Sequence, residues 1–174
     1  ICFDRFHVAG FFSKAVDLVR KKEHNTLLKM GDSTLSKSKY DWLKNASKLD
    51  GRSRKHFMKL TKLNLKTARA WAIKETAGKL WSYTNKTWAV KMWTKLIGWM
   101  WRSKLKPMIA LSKSIRKHFY GIINSIILGV SNGRAESINS KIQKIKKMAC
   151  GFRNVERFKN SILFHLGGLE LYPN

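Results

Sequence analysis

Apolar residues recur along this chain mainly at the three- and four-residue intervals of a helix, and seldom alternate as they do in a half-buried strand. Phe11, Ala15, Leu18 and Val19 predict a first helix ending near Lys22. The polar and small residues over 25–37, with Gly31-Asp32-Ser33 among them, predict a loop. Tyr40, Trp42 and Leu43, then Phe57, Leu60 and Leu63, predict two short helices, the second opening after Asp50-Gly51 with Ser53 as its N-cap. Over 64–83, Leu65, Ala68, Ala72, Ala77 and Leu80 fall near one side of a longer helix.

The segment 87–104 carries two apolar stripes, Trp88, Met92, Leu96 and Trp99 on one and Trp93, Ile97, Met100 and Trp101 on the other. That pattern predicts a helix buried between neighbours, with its tryptophans mainly in the core and not on an exposed platform for stacking bases. Pro107 suits the first turn of a further helix with Met108, Leu111, Ile115, Phe119 and Ile122 on one face. After Ser131-Asn132-Gly133, two last helices are predicted over 135–148 and 155–166, separated by Cys150-Gly151. Only Ile1-Cys2-Phe3 reads as the end of a strand, so the chain is expected to begin inside a domain and to be mostly α. No repeat, linker or low-complexity tract divides it.

Composition sharpens this picture. A chain of 174 residues with 44% hydrophobic residues can build a core. Thirty-six Lys and Arg against ten Asp and Glu give a formal charge of +26, which repels itself unless a polyanion is near. Nucleic acid or an anionic surface is the expected partner, although a generally basic protein would show the same totals. Cys2 and Cys150 stand far apart with no metal-ligand spacing, and a reducing cytoplasm is expected. The apolar stretch 122–130 is interrupted by Asn124 and Ser125 and reaches about half the length of a membrane-spanning helix, so no membrane partner is expected. No nucleophile elbow, zinc-protease helix, phosphate loop or dinucleotide fingerprint occurs.

Three groups of residues can carry chemistry. Glu136 lies on the polar face of the penultimate helix with Asn139, Gln143 and Lys147, away from the stripe Ala135, Ile138, Ile142, Ile145 and Ala149. A first-turn carboxylate also complements the helix dipole, so composition alone leaves its role open. Asp4 and His7 stand where a strand hands over to a helix, a common place for a site, yet a capping Asp and a satisfied His fit equally well. Lys141, Lys144 and Lys147, with Arg153 and Arg157, form a basic run beside Glu136 that either contacts phosphates or is a solvated face.

Several segments taken in order resemble one family. Phe3-Asp4-Arg5-Phe6-His7-Val8, Leu63-Asn64-Leu65-Lys66-Thr67-Ala68-Arg69-Ala70, Asn132-Gly133-Arg134-Ala135-Glu136-Ser137-Ile138-Asn139 and Ala149-Cys150-Gly151-Phe152-Arg153-Asn154 are similar to DDE transposases of the ISL-three insertion-sequence family. The resemblance implies an RNase-H-like α/β core in which three acids hold two magnesium (or manganese) ions, interrupted by a helical insertion. Such a metal pair activates the attacking oxygen and stabilises the leaving one.

Residues 1–7 would then be the end of a core strand with its DxxH motif, 8–127 the insertion, and 128–174 the C-terminal core helices. Glu136 matches the third acid and the metal ligand; Asp4 and His7 match the DxxH motif near the active site. The partners implied are DNA, at insertion-sequence ends and at the target, and a homo-oligomer assembled on DNA. Ser137 replaces a common Gly. The first two acids are expected outside this chain, which is therefore expected to be inactive alone and unable to hold the metal pair. The competing expectation is a non-enzymatic, basic helical nucleic-acid-binding module.

Overall fold

A computed structural model describes residues 4–44, 49, 51–63, 65–129 and 133–167; the side chains of Arg52, Ser53, Arg134, Ala135 and Glu136 are outside that description. The described residues contain helices and loops and no strand, so the chain is mostly α. The strand expected at Ile1-Cys2-Phe3 lies outside the described residues. The chain divides into two compact units, residues 1–130 and 131–174.

In the first unit, α1 (Arg5–Lys29) begins where Asp4, in extended conformation, accepts a hydrogen bond from the Phe6 N–H. It runs seven residues past the predicted end at Lys22. Nothing over 23–29 breaks a helix, and Thr26 Oγ1 returns to the Lys22 carbonyl at 3.0 Å. The stop comes at Gly31, whose φ of 78° lets the Asp32 N–H reach the Leu27 carbonyl. The face that packs is Val8, Phe12, Ala15, Val16 and Val19, whereas Phe11 and Leu18 of the predicted stripe are exposed.

Next come α2 (Lys39–Leu43) and α3 (Gly51–Lys62), the latter enclosing Ser53 within the helix instead of using it as a cap. Trp42 of α2 is fully buried and meets Phe57 of α3 edge-on at 4.9 Å; Phe57 meets Trp71 in the same way at 4.9 Å.

Trp71 belongs to α4 (Lys66–Leu80), which packs on α1 with Thr67, Ala70, Ile73, Ala77 and Leu80 inward. Ala68 and Ala72 lie only at the margin of that face. Leu65, at the N-cap position, has no side-chain acceptor to offer. Glu23 of α1 supplies one instead: Oε1 accepts from the Lys66 N–H, and Oε2 from the N–H and hydroxyl of Thr67, each at 2.7 Å. One carboxylate therefore caps α4 and pins it to α1.

Lys74 does the converse at the other pole. Its ammonium donates to the carbonyls of Trp42, Leu43 and Lys44 at the end of α2, and burial pulls its pKa down against the opposing pull of Glu75.

α5 (Lys86–Arg102) opens where Asn85 accepts from the Trp88 N–H. It packs against α4, against α6 (Lys106–Lys117) and against α7 (Phe119–Leu128) through Ala89, Trp93, Leu96 and Met100. The expectation that its tryptophans are mainly core holds for Trp93, which is fully buried, but Trp88, Trp99 and Trp101 are exposed. A helix at the side of a bundle buries one arc only, and these three fall outside it. Pro107 sits in the first turn of α6 as predicted. The single helix expected through Ile122 breaks at His118, which both ends α6 and opens α7.

The second unit is a helical hairpin, α8 (Gly133–Met148) and α9 (Val155–Leu166). No described residue of either helix is buried, so Ile138, Ile142 and Ile145 form a half-open stripe and not the buried one expected. Among the described residues, no helix is long and apolar enough to cross a membrane.

Candidate nucleic-acid interface

Lys141, Lys144 and Lys147 are exposed and, at three-residue steps, occupy one arc of α8. Lys141 and Lys144 border a hollow of about 440 Å³ with Met148 and His165 of the hairpin. Lys144 and Lys147 border a second, of about 610 Å³, with Asn139 and Gln143. Three ammonium groups along two adjoining hollows can meet successive phosphates of one strand.

The connection between α8 and α9 shows how local sequence places two arginines. Cys150 and Gly151 adopt left-handed φ values of 51° and 100°, and their N–H groups return to the Lys147 and Lys146 carbonyls at 3.1 and 2.9 Å. Phe152 stacks on Phe158, ring centres 5.0 Å apart. Asn154 caps α9, accepting from the Glu156 and Arg157 N–H groups. In Gly151-Phe152-Arg153-Asn154, three residues thus have an architectural task. Arg153 is exposed and makes no ion pair among the described residues, and Arg157 is likewise exposed. Both are available to a ligand.

Asp4 is buried at the start of α1, with Oδ1 on the Phe6 N–H and Oδ2 3.8 Å from Nδ1 of the exposed His7. This is the geometry of a cap with a neighbouring imidazole. Glu136 falls in the first turn of α8, and its side chain lies outside the described residues. Because Asp4 and Glu136 belong to different units, each is placed only within its own.

A divalent pair needs several carboxylates around one point. Among the described residues no group of three or more His, Cys, Asp and Glu gathers to hold a metal, and Asp4 already serves its own helix. These residues do not by themselves fit a two-ion centre.

One cationic feature escaped sequence reasoning. Lys22, Lys66, Arg69, Lys104 and Lys106 line a cleft of about 640 Å³ in the first unit, drawn from α1, α4, the α5–α6 connection and the start of α6. The single acid lining it, Glu23, has both oxygens occupied by α4. The cleft is assembled from segments far apart in the chain, so spacing alone could not reveal it. The local signals were the pairs Lys66 with Arg69 and Lys104 with Lys106, each within one short segment.

Comparison with known proteins decides the family. Residues 1–162 match the family model of transposases of the ISL-three type, described simply as transposase. The chain belongs to this family. It is 24% identical over 161 residues to the transposase for insertion sequence element IS1001 of Bordetella parapertussis, covering 91% of this chain and 40% of that protein. It is 24% identical over 192 residues to the transposase for insertion sequence element IS1557 of Mycobacterium tuberculosis, covering 96% of this chain and 43% of the relative. The chain thus spans about two fifths of the length of these transposases. No solved structure matches it.

Proposed function

We propose that this chain is the part of a DNA transposase that binds DNA through cationic helices and contributes Glu136 as one of the acids of an RNase-H-like catalytic core. The observation that carries the reading is the transposase match over residues 1–162, which includes the helix whose first turn holds Glu136. The other charged residues of α8 are Arg134, Lys141, Lys144, Lys146 and Lys147, so a strand held by that helix would lie beside a lone carboxylate. Lys141, Lys144, Lys147, Arg153 and Arg157 are assigned to phosphates.

Magnesium, once held by Glu136 together with acids supplied from outside these 174 residues, would provide the Lewis-acid chemistry of phosphoryl transfer. This chain's own residues hold and orient the DNA, and residues 8–127 serve as the helical insertion. DNA at the element ends and at the target, and a homo-oligomer on that DNA, complete the proposal.

The test is Glu136→Gln with the rest of a transposase sequence supplied. Magnesium-dependent strand cleavage should vanish while duplex binding stays unchanged. Cleavage surviving the substitution would reduce Glu136 to a helix-terminus charge, leaving a basic nucleic-acid-binding module.

A further inference from the structure

The outer face of α5 has no part in the reading above. Trp88, Lys91, Lys95, Trp99 and Arg102 follow one another at intervals of three and four residues, which places them on one line down the helix, clear of the buried arc of Ala89, Trp93, Leu96 and Met100. All five are exposed, with Trp88 at 54% and Trp99 at 38%, too open for core residues. The Lys91 ammonium stands 5.1 Å from the centre of the Trp88 ring. Arg102 folds back over Gly98, where a Cβ would come within 3.2 Å of its guanidinium, so the glycine leaves room for that charge beside Trp99.

The stripe continues into grooves. Trp99 walls a groove of about 410 Å³ shared with Lys62, Leu65, Ala68, Arg69 and Trp71. Arg69 also lines the five-cation cleft, so cleft and groove meet at its side chain. No Asp or Glu occurs in sequence between Glu75 and Glu136, which leaves α5, α6 and α7 without a carboxylate.

The mixture of groups selects the ligand. An apolar protein face would strand Lys91, Lys95 and Arg102 without counter-charges. Duplex DNA offers phosphates but keeps its base faces stacked. An unpaired strand offers both phosphates and open base faces, the combination that interleaved cations and indoles recognise.

We propose that the cleft, the groove at Arg69 and the outer stripe of α5 form a track for an unpaired DNA strand, with Lys66, Arg69, Lys104 and Lys106 on phosphates and Trp99 and Trp88 stacking on bases. At 1.5 Å rise per residue the two indoles stand about 16 Å apart along the helix, a span of several nucleotides. The proposal rests on the DNA-binding reading and adds the form of DNA bound.

The test uses the full chain with two probes, a short labelled oligothymidylate and a blunt duplex. Oligothymidylate should quench tryptophan fluorescence. Trp88→Ala with Trp99→Ala should weaken its binding by about 30-fold or more, from the usual cost of losing two stacked bases, and leave duplex binding within about twofold. Trp88→Phe with Trp99→Phe should retain most of the affinity, and circular dichroism of each variant checks its fold. Trp101→Ala, exposed on another side of α5 beside Lys113, should change nothing.

Unchanged oligothymidylate binding in the double alanine variant, with duplex binding intact, overturns the track alone. Failure of the unaltered chain to bind either probe overturns the DNA reading with it. Tryptophan-dependent binding to anionic phospholipid vesicles, with neither DNA probe bound, would reassign the stripe to a membrane surface.

Discussion

The two units solve the burial problem differently. Residues 1–130 close around a continuous core in which Phe12, Trp42, Phe57, Ile73, Trp93 and Met108 are almost wholly hidden. In 131–174 no described residue of the two helices is buried, and Phe152 of the turn stacks on Phe158 at the start of α9. Helices of this length draw most of their stability from a packed face. The first unit has such faces internally, whereas the hairpin presents a stripe of isoleucines that is only half covered. The well-capped turn sets where α8 ends and α9 begins without giving them a core. The lesson is that the same helical periodicity can write a core or an open stripe, and only tertiary structure tells them apart.

The sharpest way to break that contrast is to truncate one aromatic in each unit and follow thermal unfolding. Trp93→Ala should cost about 3–5 kcal/mol, the usual loss for a buried large aromatic, and lower the melting temperature of the first unit by many degrees. Phe152→Ala should cost under about 1.5 kcal/mol, since its stacking contact lies at the surface. Equal losses would show that the hairpin owns a core after all.

A smaller effect probes the internal clamp. Glu23→Ala removes the acceptor for two backbone N–H groups and the Thr67 hydroxyl and should destabilise the first unit by about 1–2 kcal/mol in urea unfolding. An unaltered midpoint would mean that α4 starts as readily without it.

Subtlest is the functional contrast within the hairpin. Arg153→Ala with Arg157→Ala should leave the melting temperature unmoved and reduce the slope of log affinity for duplex DNA against log salt by about 2, one for each lost phosphate contact. A slope equal to that of the unaltered chain would make these arginines a solvated face.

Much of this was legible in the sequence. Pro107 marked the start of α6, and Cys150-Gly151 marked the break between α8 and α9, because proline and left-handed turns act locally. The basic run of α8 and Arg153 was legible for the same reason. Other features depend on distant partners. The Glu23 cap on α4 joins residues more than forty positions apart, and nothing in the periodicity of either helix announces it. α1 carries two overlapping apolar tracks, through Phe11 and Leu18 and through Phe12 and Val19, and packing chose the second. The tryptophans of α5 read as core in the sequence because a helix apolar on two sides looks enclosed until its neighbours are known to cover one. For Asp4, capping is one of the two roles its position allows, and the geometry of Phe6 N–H on its carboxylate is that of a cap.

The Glu23 clamp has a further consequence, for the shape of the basic cleft. It ties one wall, on α1, to the floor, on α4, by three short hydrogen bonds to a charged group, so the two cannot slide past each other by a helical turn without stranding that charge. Lys22, Lys66 and Arg69 are therefore mounted on two helices whose spacing is fixed before anything arrives. A backbone threading there would find a mould and not a glove, and its docking would forgo the ordering entropy that a floppy basic tail must surrender.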